Sequence, residues 1–141
     1  MNAACGFIKQ YGPLLGRILL SLIFVISGYS KIGSFAATAG YMASKGLPMS
    51  EALLALTIVI ELGGGLMIMF GWHARFAAMM FFLWLIPASF IFHPFWDVDA
   101  AQRMGQFNNF FKNIAIMGGM LYVMAHGSGP YSLRNDDTPG R

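Results

Sequence analysis

The sequence is poor in charge. Nine Lys and Arg and six Asp and Glu supply 11% of its 141 residues, against roughly 25% in an ordinary soluble domain. So thin a charged surface excludes a typical water-soluble fold. The net charge of +3 implies no nucleic-acid partner, because basic residues flanking membrane segments account for it. The single cysteine, Cys5, excludes an internal disulfide and every paired-cysteine metal or redox spacing. Phosphate-binding loops, dinucleotide fingerprints and nucleophile-base motifs are likewise missing.

What remains is apolar: 57% of the residues are hydrophobic, including 13 Phe and 11 Met. Crossing a hydrocarbon core takes roughly 17 to 25 largely apolar helical residues, and four blocks of about that length lie between charges and turn signals. They cover residues 13–30, 52–70, 76–92 and 107–125. Stops are supplied by Lys31, by "GWHAR", by "HPFWDVD" and by "HGSGP". The expected fold is all-α, an integral membrane four-helix bundle formed by residues 1–134 as one domain. Between the first two spans, "IGSFAATAGYMASKGLP" is too short and polar to cross and is expected to form an interfacial helix or re-entrant piece. Residues 135–141 are expected to form a disordered tail, and "GPYSLR" before them to lie in water or along the headgroups. Arg17 interrupts the first apolar block, which also exceeds the usual length of a signal-peptide core, so that block is expected to remain as a span.

An even number of spans puts both termini on one side of the membrane. That side, with the second connection, carries Lys9, Arg17, Arg75, Arg134 and Arg141, and the opposite loops carry Lys31, Lys45 and Arg103. The bias of five to three favours cytoplasmic termini and a multi-pass protein of the inner membrane.

The polar groups inside the spans stand out against this background. If the second helix begins near Glu51, Glu61 lies about 15 Å along it, close to the bilayer midplane. An ionised acid at that depth costs about 2.5 to 3.5 kcal/mol, so Glu61 must be neutral, face the bundle interior or meet a cation. Lys112, on one helical face with Asn109 and Asn113, is the expected partner. The first span has its own inward stripe of Arg17, Ser21, Phe24, Gly28 and Lys31, spaced by three and four residues. Ser89 and His93 extend the third. Together, Glu61, His93, Asn109, Lys112 and Asn113, with Lys31 at the rim, form a candidate polar site suited to a quinone headgroup or to proton transfer. The competing reading is purely structural: an ion pair fixing helix register, with the amides as interhelical glue.

Gly63, Gly64 and Gly65 read as a helix-packing surface that Gly118 and Gly119 could meet, within one chain or between copies in a homo-oligomer. His73 and His126 fall at one end and His93 at the other, so paired histidine ligation of a haem is not expected. His93 with Asp97 or Asp99 has only a generic metal spacing. No metal site and no intrinsic cofactor are assigned.

The segments "GRILLSLIFVISGYSKIGSF", "AGYMASKGLP", "IELGGGLMIMFGWHAR", "ASFIFHPFW", "FFKNIAIMGG" and "GPYSLR" resemble the DoxX family of small four-helix membrane proteins over most of residues 16–134. That family takes its name from membrane subunits of a thiosulfate:quinone oxidoreductase, and other members look like partners of thiol and oxidative-stress systems. The resemblance implies a membrane subunit acting with an oxidoreductase partner. It places the family's Glu at Glu61, its His at His93 and its Lys-Asn pair at Lys112 and Asn113, without attaching a catalytic role to any. The alternative is a non-enzymatic scaffold or small-molecule carrier.

Overall fold

The computed structural model describes residues 2–133; the expected tail, 135–141, lies outside them. Every regular element among the described residues is helical. They are α1 (Asn2–Gly33), α2 (Phe35–Ser44), α3 (Ser50–Phe70), α4 (Ala74–Phe92) and α5 (Ala100–His126). Within α3, residues Ile60–Gly64 form one π-helical turn.

Three stretches are long and apolar enough to cross a membrane: Ala4–Gly33, Ser50–Phe70 and Ala74–Phe92. Helix α5, at 27 residues, has the length, about 40 Å at 1.5 Å per residue. Its first half carries Gln102, Arg103, Gln106, Asn109 and Lys112, which keeps its composition short of the other three.

Helix α1 starts well before Pro13, where the sequence suggested a boundary, and runs through it. The extra turns are held by ring contacts: Phe7 lies 4.8 Å from Tyr11, and Tyr11 stacks on Tyr131 at 5.6 Å. The stretch after the first span is indeed a short helix, α2. Its Ala39 and Met42 are buried with Leu54 of α3, flanked by Phe35, Leu47 and Phe92. The main core joins Phe24 of α1, Ile68 of α3, Phe81 and Leu85 of α4 and Met120 of α5, with Phe24 and Phe81 stacked at 4.0 Å. Helix α4 lies along α5, and α1 lies along α3.

Of the stretch expected to lie in water or along the headgroups, residues 129–133 form with Ser128 a cap across one end of the bundle, with Tyr131 and Leu133 still exposed. The buried Arg17 guanidinium donates to the carbonyls of Ser128 and, at 3.0 Å, Tyr131, while the Leu133 amide donates to the Phe70 carbonyl at 2.9 Å. Gln10 Nε2 reaches the Tyr131 hydroxyl at 2.7 Å. Gly71 ends α3 with φ +67, and a Cβ there would fall 2.4 Å from Ser132 Cβ and 2.9 Å from an Arg17 nitrogen. Only glycine meets both demands. The cap thus depends on a charge that the sequence alone marked merely as inward-facing.

Arg17→Met would leave the Ser128 and Tyr131 carbonyls without this donor, a loss of about 1 to 3 kcal/mol for buried groups. We expect a lower unfolding midpoint in detergent and faster proteolysis within 127–133. Unchanged proteolysis would show that Arg17 does not hold the cap.

Candidate functional site: the cavity at Glu61

The stripe Arg17, Ser21, Phe24 and Gly28 is buried along α1, and Lys31 is half-buried at its end. At Gly28 this face presses on the π-turn of α3. A Cβ at Gly28 would lie 2.8 Å from Leu62 Cγ, 3.1 Å from the Leu62 backbone nitrogen and 3.1 Å from Glu61 Cβ. The absent side chain therefore sets how closely α1 approaches Glu61, and one turn later Lys31 comes within reach of it.

Lys31 Nζ lies 2.9 Å from Glu61 Oε2 and 3.1 Å from Oε1, and it also donates to Ser27 Oγ on its own helix. The Glu61 side chain is 4% exposed and that of Lys31 24%. The partner of Glu61 is therefore Lys31, which the sequence placed at the rim, and not Lys112. The reason is geometric. Helix α1 can approach closely over Gly28, whereas Lys112 is exposed and donates to Asn109 Oδ1 at 3.0 Å, one turn back on α5.

The glycines after Glu61 divide in role. A Cβ at Gly64 would meet Met80 Cε at 2.7 Å and Phe81 Cε2 at 2.9 Å on α4; at Gly65 it would meet Val25 Cγ2 at 2.9 Å on α1; at Gly63 it would meet nothing. Gly119 instead faces Leu20 of α1, and Gly118 has open space. No glycine-to-glycine seam forms between α3 and α5. Three residues without side chains also suit the wide turn, in which an extra residue is accommodated in the helix.

On α4, Ser89 Oγ donates to the Leu85 carbonyl at 2.6 Å and accepts from Asn113 Nδ2 at 3.0 Å, fixing α4 to α5 in the buried interior. At the end of the helix, His93 Nδ1 lies 2.8 Å from Gln106 Oε1. An amide oxygen can only accept, so Nδ1 donates in this bond.

These groups enclose one cavity of about 310 Å³. Lys31, Glu61, His93, Lys112 and Asn113 all line it; Asn109 does not, and reaches it only by binding Lys112. Apolar walls come from Ile23, Phe24, Trp84, Leu85, Phe92 and Ile116. Sequence reasoning missed Ser27, Thr38, Thr57 and Gln106, which also line it. Three of them had a readable signal: Thr57 stands four residues before Glu61, Ser27 four before Lys31, and Gln106 seven before Asn113, all spacings that share a helix face. Thr38 had none, because its place depends on how α2 folds back. Among the described residues no group of three or more His, Cys, Asp or Glu side chains converges.

The arrangement offers ammonium and amide donors, an imidazole and a carboxylate inside an otherwise apolar chamber. That is the chemistry of a site for a mostly apolar ligand with oxygen acceptors.

An all-helical chain with several apolar helices around a polar interior cavity is a polytopic membrane protein. More particularly, it belongs to the DoxX family, whose profile matches residues 12–94. The chain is 34% identical to "Inner membrane protein YqjF" of Escherichia coli over 126 residues, covering 89% of this chain and 92% of that one. It is 33% identical to "Inner membrane protein YphA" of the same organism over 120 residues, 85% and 86% of the two chains. A shorter match, 35% over 79 residues, is to "Putative oxidoreductase CatD" of Bacillus subtilis, covering 56% of this chain and 58% of that one. No solved structure matches the chain.

Gly28→Ala tests the close approach that builds the site. The new methyl group would overpack against Leu62 and cost about 1 to 3 kcal/mol, whereas Gly33→Ala, with open space around it, serves as the neutral control. Thermal unfolding in detergent should show a clear drop for the first alone. Equal midpoints for both would mean that α1 and α3 are not held together at Gly28.

Proposed function

We propose that this protein is a four-span inner-membrane subunit whose cavity binds a quinone headgroup, or relays protons to it, for a partner oxidoreductase. The observation that carries this reading is the single cavity bringing together Lys31 of α1, Glu61 of α3, His93 at the end of α4 and Lys112 and Asn113 of α5, and walling them with apolar side chains. Intramembrane ionisable groups are costly and are by default functional. A π-turn at the acid adds support, since such turns recur at functional sites. The short match to a protein with an oxidoreductase name points the same way, as do the two inner-membrane relatives for location.

In this reading α5 is the fourth span, its polar first half turned toward the cavity, and both termini are cytoplasmic. The Lys112 ammonium group and the Asn113 amide donate to the quinone carbonyl oxygens, while Lys31 holds Glu61. Reduction to the quinol consumes electrons and protons in equal number. The electrons come from the partner oxidoreductase, and His93 and Glu61 stand where protons can be exchanged. A second copy of the chain and the partner would dock on the lipid-facing helices.

One observation favours the alternative of a scaffold or small-molecule carrier. Both oxygens of Glu61 are already engaged by Lys31, which is how a purely structural tie would look.

Gentle solubilisation followed by native mass spectrometry and lipid-extract analysis separates the two. Wild-type protein should carry a quinone, and Glu61→Gln should retain its fold while occupancy falls about tenfold, the effect of losing about 1.4 kcal/mol of binding. No quinone on either protein, with Glu61→Gln less heat-stable, would contradict the proposal and leave the structural tie.

A further inference from the structure

The cavity is not closed toward the bilayer. A second depression runs along the outer face of α1. Its upper part is polar, with Ser30 and Ser34, and its lower part is apolar, with Leu19, Leu22 and Ile26. These positions are spaced by three, four, four and four residues, so they form one continuous helix stripe. From Leu19 to Ile26 the stripe runs about 10 Å along the helix. Four residues belong to both depressions: Ile23, Ser27 and Lys31 of α1 and Thr38 of α2. The groove and the cavity therefore meet around one edge of α1, with the Lys31 ammonium at the junction and Glu61 on the inner side only.

Size and charge indicate what such a two-part site takes. The cavity has the volume of about ten water molecules at roughly 30 Å³ each, enough for a substituted ring but not for a long chain as well. Among the described residues, Lys31 is the only charged side chain lining the groove, and Glu61 already neutralises it, so the groove offers little to a water-soluble ion. Its apolar stretch offers a hydrocarbon chain contacts with branched side chains that are otherwise widely exposed, Leu19 at 71% and Ile26 at 58%.

We propose that this groove is the lateral entrance and tail site of the cavity: a long-chain isoprenoid quinone enters sideways from the bilayer past Thr38 and Lys31 and leaves its tail along Leu19, Leu22 and Ile26. The inference rests on the quinone reading above and adds to it the ligand's tail, its route and the membrane as its source. Lys31, which lines both, is the first charged group that the headgroup passes.

The test uses the double variant Leu22→Trp/Ile26→Trp. Both residues line the groove and not the cavity, and both are exposed, so the fold should tolerate the change. Equilibrium binding in nanodiscs is measured with two radiolabelled probes: a benzoquinone bearing a long polyisoprenoid tail, and the same headgroup with a methyl group in place of the tail. The variant should bind the long-tailed probe about tenfold more weakly than wild type and the tail-less one within about twofold. If the variant binds both probes as wild type does, or loses both equally, the tail does not lie in this groove and the inference fails while headgroup binding stands. If wild-type protein binds neither probe, the quinone reading itself fails and this inference falls with it.

Discussion

The ion pair between Lys31 and Glu61 is the constraint around which the rest of the structure is arranged. A carboxylate deep in a membrane helix is tolerated only where a cation and hydrogen-bond donors meet it, and meeting it requires two backbones to come close at one level. Gly28 supplies that closeness from α1, and the π-turn over Ile60–Gly64 presents Glu61 to it. Once the pair is formed, the register of α1 against α3 is set, and the chamber between α1, α2, α4 and α5 opens beside it instead of filling with side chains.

The remaining contacts hold that chamber from its edges. Gly64 and Gly65 let α3 sit tightly against α4 and α1 on the side away from the cavity. The chain of hydrogen bonds from Asn113 through Ser89 to the Leu85 carbonyl ties α4 to α5 inside the cavity wall, and the bond between His93 and Gln106 repeats the tie where the two helices connect. At the opposite end of the bundle, Arg17 gathers residues 128–131 under α1. At that end backbone carbonyls meet a guanidinium, and at the other titratable and donor groups surround a space. That difference supports the proposal of a ligand site at the Glu61 end.

The sequence made much of this legible because helical periodicity needs no tertiary knowledge. The α1 stripe from Arg17 to Lys31 could be read from its spacing and is the buried face, and the helical nature of the chain followed from its apolar blocks. Pairing was not legible. From one strand of text, Lys112 and Lys31 are equivalent cations, and the choice between them depends on the missing Cβ at Gly28, whose effect appears only when α1 and α3 are placed together. The π-turn was equally hidden, since "IELGGG" states that side chains are few but not that the turn widens. "GPYSLR" lacks periodicity because its order comes from backbone carbonyls bound to Arg17, which no side-chain pattern records. Thr57, Ser27 and Gln106 share helix faces with Glu61, Lys31 and Asn113 by spacing alone, whereas the place of Thr38 depends on how α2 folds back.

The most direct test of this account is a pair of double-mutant cycles measured by reversible unfolding in mixed micelles, one joining Lys31→Met with Glu61→Gln and the other Lys112→Met with Glu61→Gln. Residues in direct contact couple by about 0.5 to 3 kcal/mol, and independent ones add to within about 0.3 to 0.5 kcal/mol. The account predicts clear coupling in the first cycle, the double variant being more stable than the two single losses imply, and additivity in the second. Coupling confined to the Lys112 cycle, with Lys31 and Glu61 additive, would contradict it.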